Sequence, residues 1–219
     1  MARNVTNEIR KYIAAGWAVV PVPAGKKSPQ LKSWQKLRLN ISDLPEYFSA
    51  GENVGVLLGE ASNGLVDVDL DSQEAIFLAS AFLPETERVH GRKSKMSSHY
   101  WYRADSVPKP QKFCDIDGSS LLEVRSTGQQ TIVPPSVHPS GERVRWELDG
   151  KPAHVESALL VASVGRLAAA TLFARHWSAE GQRHEATLAL SGMLLRAGWH
   201  RRLTPILWSR RLMTRSRPS

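Results

Sequence analysis

Three carboxylates at alternate positions, Asp67, Asp69 and Asp71 in GLVDVDLD (64–71), are the residues of this sequence best placed to do chemistry. In a strand, side chains alternate faces, so the aspartates project from one face and Val66, Val68 and Leu70 from the other. The apolar face can pack on helices. The acidic face sets neighbouring carboxylates only about 7 Å apart, which is unfavourable unless something offsets the charge. Divalent cations do so, because Mg²⁺ and Mn²⁺ take hard oxygen ligands. A strand ending in Asp-x-Asp suits two metals, one activating an attacking hydroxyl and the other clamping phosphate and leaving group. Taken alone, the run is more often a solvent-facing acidic strand edge, or ends in an Asp71 that merely caps the next helix.

Two later segments add to it. SSHYWYR (97–103) places Ser97, His99, Trp101 and Arg103 on one strand face, after a basic loop GRKSKM (91–96). Arg92, Lys93, Lys95, the Ser97 hydroxyl and the His99 imidazole can all donate to the oxygens of a triphosphate. A lone histidine at a strand start also has an ordinary structural reading. In SLLEVRS (120–126), Glu123 stands between Leu122 and Val124 and shares its face with Arg125. Either Arg125 neutralises it locally, or Glu123 is a third metal-facing carboxylate.

The elements that must hold these groups follow from periodicity and turn residues. Residues 7–15 read as a helix with Thr6 as cap and Gly16 as stop. WAVVPVPAG (17–25) reads as a short strand, GKKSPQLKSW as a basic loop, and ISDLPEYFSAG (41–51) as a short helix. NVGVLLG (53–59) precedes the acidic strand, and SQEAIFLASAFL (72–83) follows as a helix capped by Ser72 and stopped by Pro84. HYWYR, SLLEVRS, QTIVPPSVH (130–138) and RVRWEL (143–148) read as strands. Residues 1–150 are thus an α+β domain whose later half is mostly antiparallel sheet. Residues 151–219 read as a small helical appendage, with helices in 155–177 and 184–199, ending in a basic tail.

Order and spacing resemble the bifunctional DNA primase/polymerase N-terminal domain of the archaeo-eukaryotic primase superfamily. That family carries a hydrophobic strand ending Asp-x-Asp, an S-x-H motif and a later hydrophobic-acidic motif. They correspond here to Leu65–Asp71, Ser97-Ser98-His99 and Leu121-Leu122-Glu123. GWAVVPVPAGKKSP with Trp34, NVGVLLG, and VPPSVHPSGERVRW are similar flanking features, and the likeness covers about residues 7–150. The resemblance implies an RRM-like core and template-directed nucleotidyl transfer by two metals, Mg²⁺ or Mn²⁺, on Asp69, Asp71 and Glu123. It also implies that Ser97 and His99, helped by Arg92, Lys93 or Lys95, grip the triphosphate, and that His138 faces the nucleotide. The implied partners are single-stranded DNA template, (d)NTP and a replicative helicase, in phage, prophage or plasmid replication. Asp67 is extra to the family pattern, which has an apolar residue there. It either joins the metal site or offers Asp67-x-Asp69 as an alternative pair.

Charge is placed unevenly. Residues 1–150 carry 18 Lys+Arg against 18 Asp+Glu, and residues 151–219 carry 11 against 3. A balanced body with a basic end suits a polyanion, or is simply a solvated basic face. Cys114 is the sole cysteine, which excludes an internal disulfide and a cysteine zinc cluster. No apolar run reaches the roughly 18 residues expected of a membrane span. The start reads as an amphipathic helix and not a signal peptide, so a cytoplasmic location is expected, without membrane. GKKS (25–28) lacks the upstream glycine of an ATP phosphate loop. The composition of the tail suggests a shortened or frame-altered relative of a longer protein. Two alternatives stay open: a binding module without turnover, and a metal-dependent nuclease.

Overall fold

The alternation in LVDVDL builds the central strand of the molecule. A computed structural model describes residues 2–48, 51–177 and 196. The chain runs α1 (Ala2–Ala14), β1 (Val19–Val22), α2 (Leu44–Tyr47), β2 (Asn53–Leu57), β3 (Leu65–Leu70) and α3 (Gln73–Phe82). It continues through β4 (Arg88–Arg92), β5 (Lys95–Ala104), β6 (Gln111–Cys114), β7 (Ser120–Arg125), β8 (Gln130–Val133), β9 (Arg145–Asp149), β10 (Ala153–Val155) and α4 (Ser157–Arg175). The large sheet has the order β6-β7-β3-β5-β4-β9, with β10 joining β5, and a three-stranded sheet has the order β1-β2-β8. The pairings are antiparallel except β10 with β5. The fold is α+β with mostly antiparallel sheet, as expected.

The two faces of β3 have different fates. Val66, Val68 and Leu70 pack with Tyr102, Leu122 and Val124 against Leu78 and Ala79 of α3 and Leu160, Val164 and Leu167 of α4. The other face changes character along the strand. Leu65 lies in a second core with Trp101, Trp17, Ile9 and Val54, under α1 and the small sheet. Asp67 follows, still fully buried, and Asp69 reaches the cleft beyond that cover. The two-residue period carries one face from core to cleft in two steps. Ser72 caps α3 as its sequence requires, accepting from the backbone N–H of Ala75 at 3.2 Å.

Several expectations change. GRKSKM is not a loop: Arg92 and Lys95 are paired across a tight hairpin between β4 and β5, with Lys93 and Ser94 in the turn. The helix expected over 41–51 is shorter, a helical turn at Ile41–Asp43 followed by α2. By length and composition α4 is apolar enough to cross a membrane, against the sequence expectation. Here it is a core helix: Leu160, Val164, Leu167, Ala168 and Ala170 are buried in the same core as α3 and β3. That core also spans the division expected at residue 150. The helix expected over 184–199 and the basic tail lie outside the described residues, Arg196 excepted.

Candidate active site

Cross-strand register assembles the site. On β7, β3, β5 and β4, Glu123 stands opposite Asp69, Asp69 opposite His99, and His99 opposite His90. Lys112 of β6 extends the row beyond Glu123. Residues directly opposite in antiparallel strands have Cβ atoms about 5 Å apart, so these side chains form one polar band across the sheet. The band floors a cleft of about 510 Å³, a usual size for a small-ligand site. Lys27 and Trp34 from the segment after β1, Gln130 and Thr131 of β8, and His138 line its walls. Asp71, just past β3, lies in the same cleft and anchors its backbone N–H on the Leu121 carbonyl at 2.9 Å.

The carboxylates are held by cations of the chain itself. Asp69 Oδ2 lies 2.7 Å from Arg125 Nη2, whereas the buried Oδ1 finds no hydrogen-bond partner among the described residues. Lys95 Nζ stands 3.0 Å from Asp71 Oδ1 and 4.0 Å from Asp69 Oδ1. Burial alone would raise the Asp71 carboxyl, but the neighbouring Ser120 hydroxyl and the Lys95 ammonium outweigh it and leave it below the usual carboxylate range. Glu123 pairs with Arg125 Nε at 3.2 Å and Lys112 Nζ at 3.4 Å. Glu123 is thus paired with Arg125 and lines the cleft beside Asp69. Burial pulls the Arg125 guanidinium down, and Asp69, Asp67 and Glu123 more than restore it.

His99 lies between two aspartates. Its Nδ1 is 3.0 Å from Asp67 Oδ2, and its Nε2 is 3.6 Å from Asp69 Oδ1. Burial would lower its pKa, but Asp69 and Asp67 outweigh burial and raise it, favouring an imidazolium. His90 stacks on it, ring centroids 4.2 Å apart and planes parallel. The indole N–H of Trp101 donates to His90 Nδ1 at 2.8 Å. Burial, then the neighbouring His99, push His90 well below the ordinary histidine value.

Of the residues singled out by sequence, Asp69, Asp71, Glu123, His99, Arg92, Lys95 and His138 line the cleft. Arg92 pairs with Glu142 at 3.2 Å. His138 Nδ1 accepts from the Ser140 backbone N–H at 3.1 Å, and burial with nearby Arg92 and Lys27 lowers its pKa.

Ser97 and Lys93 do not line the cleft. Gly91 of β4 faces Met96, Ser97 and Ser98 of β5, so β5 bulges there and the alternation that put Ser97 on the His99 face breaks. Ser97 takes a left-handed conformation, φ 50°, and gives both its N–H and its hydroxyl to Glu147, each at 2.6 Å. A side chain at Gly91 would meet that carboxylate and the Lys95 carbonyl, so glycine lets the bulge close. Ser98 takes the place of Ser97 in the cleft wall. Lys93 sits at the hairpin tip, over a different groove with Met96. Arg103 donates to the carbonyls of Ser62 and Asn63 instead of facing the site.

Sequence reasoning missed His90, Lys27 and Thr131 as members of the site. Only the neighbouring basic and S-x-H residues hinted at His90; nothing local marked Thr131.

The donor set suits a hard divalent cation: carboxylate oxygens, one of them buried without a hydrogen-bond partner, facing a polar cleft. Among the described residues no three His, Cys, Asp or Glu side chains form a ready-made metal cluster. Lys95 and Arg125 stand in that space as counter-charges.

No curated relative matches the chain. A family model does, over residues 9–158, and it spans the acidic strand, His99, Glu123 and the start of α4. The chain belongs to the family described as bifunctional DNA primase/polymerase, N-terminal, a family of primase/polymerase-type nucleotidyl transfer acting on DNA and nucleotides.

Proposed function

We propose that this chain extends a 3′-hydroxyl on a single-stranded DNA template, with Asp69, Asp71 and Glu123 holding Mg²⁺ or Mn²⁺. The observation that carries the reading is the row Glu123–Asp69–His99 across three neighbouring strands, with Asp71 and Lys95 in the same cleft. When bound, the cations supply Lewis-acid stabilisation of charge on the phosphate oxygens.

The chain's own residues do the rest. His99 turns Nε2 toward the Asp69 side of the cleft, and Arg92, Lys95 and His138 line its wall. These donors hold the triphosphate so that the 3′-hydroxyl attacks the α-phosphate in line and pyrophosphate leaves, with no protein nucleophile. Lys95 exchanges its contact with Asp71 for one with phosphate as the substrate enters.

Primer extension on a short single-stranded template, with each metal, tests this. Extension by the wild type that disappears in Asp69→Ala/Asp71→Ala supports it. A folded wild type that extends with neither metal, and with neither dNTP nor NTP, refutes it. One observation favours a second reading, a nucleotide- or nucleic-acid-binding module without turnover: the carboxylates are already neutralised by Arg125, Lys95 and Lys112. Nucleotide binding without pyrophosphate release would mark that case.

A further inference from the structure

Asp67 is fully buried, 0% exposed, between the two sheets. A buried carboxylate is costly unless its oxygens are hydrogen-bonded. Its Oδ2 accepts from Thr131 Oγ1 at 2.6 Å and lies 3.0 Å from His99 Nδ1. Because a carboxylate accepts, the imidazole proton on that side sits on Nδ1, which turns Nε2 toward Asp69 and the cleft. Thr131 belongs to β8 of the small sheet, so this one carboxylate links a wall of the cleft to the histidine on its floor. His90 closes a third side by stacking on the ring, itself fixed by the Trp101 indole.

We infer that Asp67 is a positioning residue: with Thr131 and His90 it locks His99 in one orientation, Nδ1–H inward and Nε2 presented to the phosphates of a nucleoside triphosphate. This rests on reading the cleft as a nucleotide site. An apolar side chain at position 67 would leave His99 Nδ1 without this acceptor and free the ring to turn. The carboxylate makes orientation a property of the resting protein, so the ring is not ordered at the expense of ligand affinity.

The test uses the full chain, inorganic tripolyphosphate as ligand, and Asp67→Asn, His99→Ala and the double variant. Proton–nitrogen NMR of the histidine side chains should show a hydrogen-bonded Nδ1–H in the wild type that is lost or strongly shifted in Asp67→Asn. Tripolyphosphate affinity should fall about tenfold in Asp67→Asn, the worth of one charge-assisted contact. In the His99→Ala background the same change should have almost no further effect, because Asp67 acts through that ring. Thr131→Val, which keeps the charge, should shift the Nδ1–H signal in the same direction and serves if Asp67→Asn fails to fold. Unchanged affinity and signal, or an equal loss with and without His99, overturns the inference. A wild type that binds no tripolyphosphate sinks the nucleotide reading instead, and the Nδ1–H signal then decides the orientation by itself.

Discussion

Arg125 Nη2 stands 2.7 Å from Asp69 Oδ2, while Asp69 Oδ1, on the same buried carboxylate, finds no hydrogen-bond partner among the described residues. Arg125 also reaches Glu123, so one guanidinium neutralises two carboxylates on adjacent strands. The guanidinium thus offsets part of the like charge that the strands bring together. Arg125→Ala should therefore cost about 1–3 kcal/mol in divalent-free buffer, the range for leaving buried polar partners unsatisfied. Mn²⁺ should recover more stability in the variant than in the wild type, since it finds a less neutralised site. Thermal unfolding with and without Mn²⁺ measures both effects. Equal Mn²⁺ shifts in the two proteins would detach Arg125 from the metal space.

Lys95 makes the complementary contact, 3.0 Å from Asp71 and 4.0 Å from Asp69. On the function proposed, a cation in that position would compete with a bound metal and would also meet a triphosphate. Lys95→Ala should bind Mn²⁺ several-fold more tightly without nucleotide, and raise the nucleotide KM about tenfold, as loss of a charge-assisted phosphate contact predicts. Mn²⁺ titration followed by electron paramagnetic resonance, with steady-state extension, separates the two. If Mn²⁺ affinity does not change, Lys95 is not a competitor for the site.

What the sequence made legible was local. The alternation of GLVDVDLD predicted which face of β3 meets the helices, and Ser72 and Pro84 bounded α3. Asp69, Asp71, Glu123 and His99, singled out by strand period and family spacing, line one cleft. What stayed hidden depends on distant partners. Ser97 leaves the cleft because Glu147, fifty residues on, takes its N–H and hydroxyl. Asp67 looked like a spare metal ligand or a register ambiguity, and its partner Thr131 is sixty-four residues away on another sheet. RVHGR has no strand-like alternation of apolar residues, so β4 and His90 went unread. The apolar character of α4 was visible, but whether it covered this domain or stood apart was a matter of packing.

That packing gives a direct stability prediction. Leu167 is 0% exposed in the core formed by α3, α4, β3 and β7. Leu167→Ala should destabilise the protein by about 2–5 kcal/mol, the cost of a buried leucine and its cavity. Urea unfolding would show a lower midpoint with a similar slope. A loss under about 1 kcal/mol would mean that α4 is a peripheral element after all, and that residues 1–150 carry their own core.

The end of α4 is fastened by a charged knot that should respond to acid. Asp115, in the turn between β6 and β7, receives His176 Nε2 at 2.5 Å and Arg175 Nη1 at 3.0 Å, and Arg175 also reaches Glu74 of α3. The His176 contact is the largest influence on the Asp115 carboxyl; burial opposes it, and the Ile116 N–H and Arg175 add to it, so its pKa falls to about 2. The folded value lies below the ordinary value of about 3.9, so the carboxylate stabilises the fold above about pH 4. That contribution disappears as pH falls through the folded value. Asp115→Asn should lower Tm at pH 7, and its deficit should shrink between about pH 4 and pH 2 as the wild-type carboxylate takes up its proton. Thermal unfolding of both proteins across pH 2–7 follows the difference directly. A deficit that stays constant over that whole range would show that the variant acts through packing at the turn, and that the knot at Asp115 contributes no pH-dependent hold on α4.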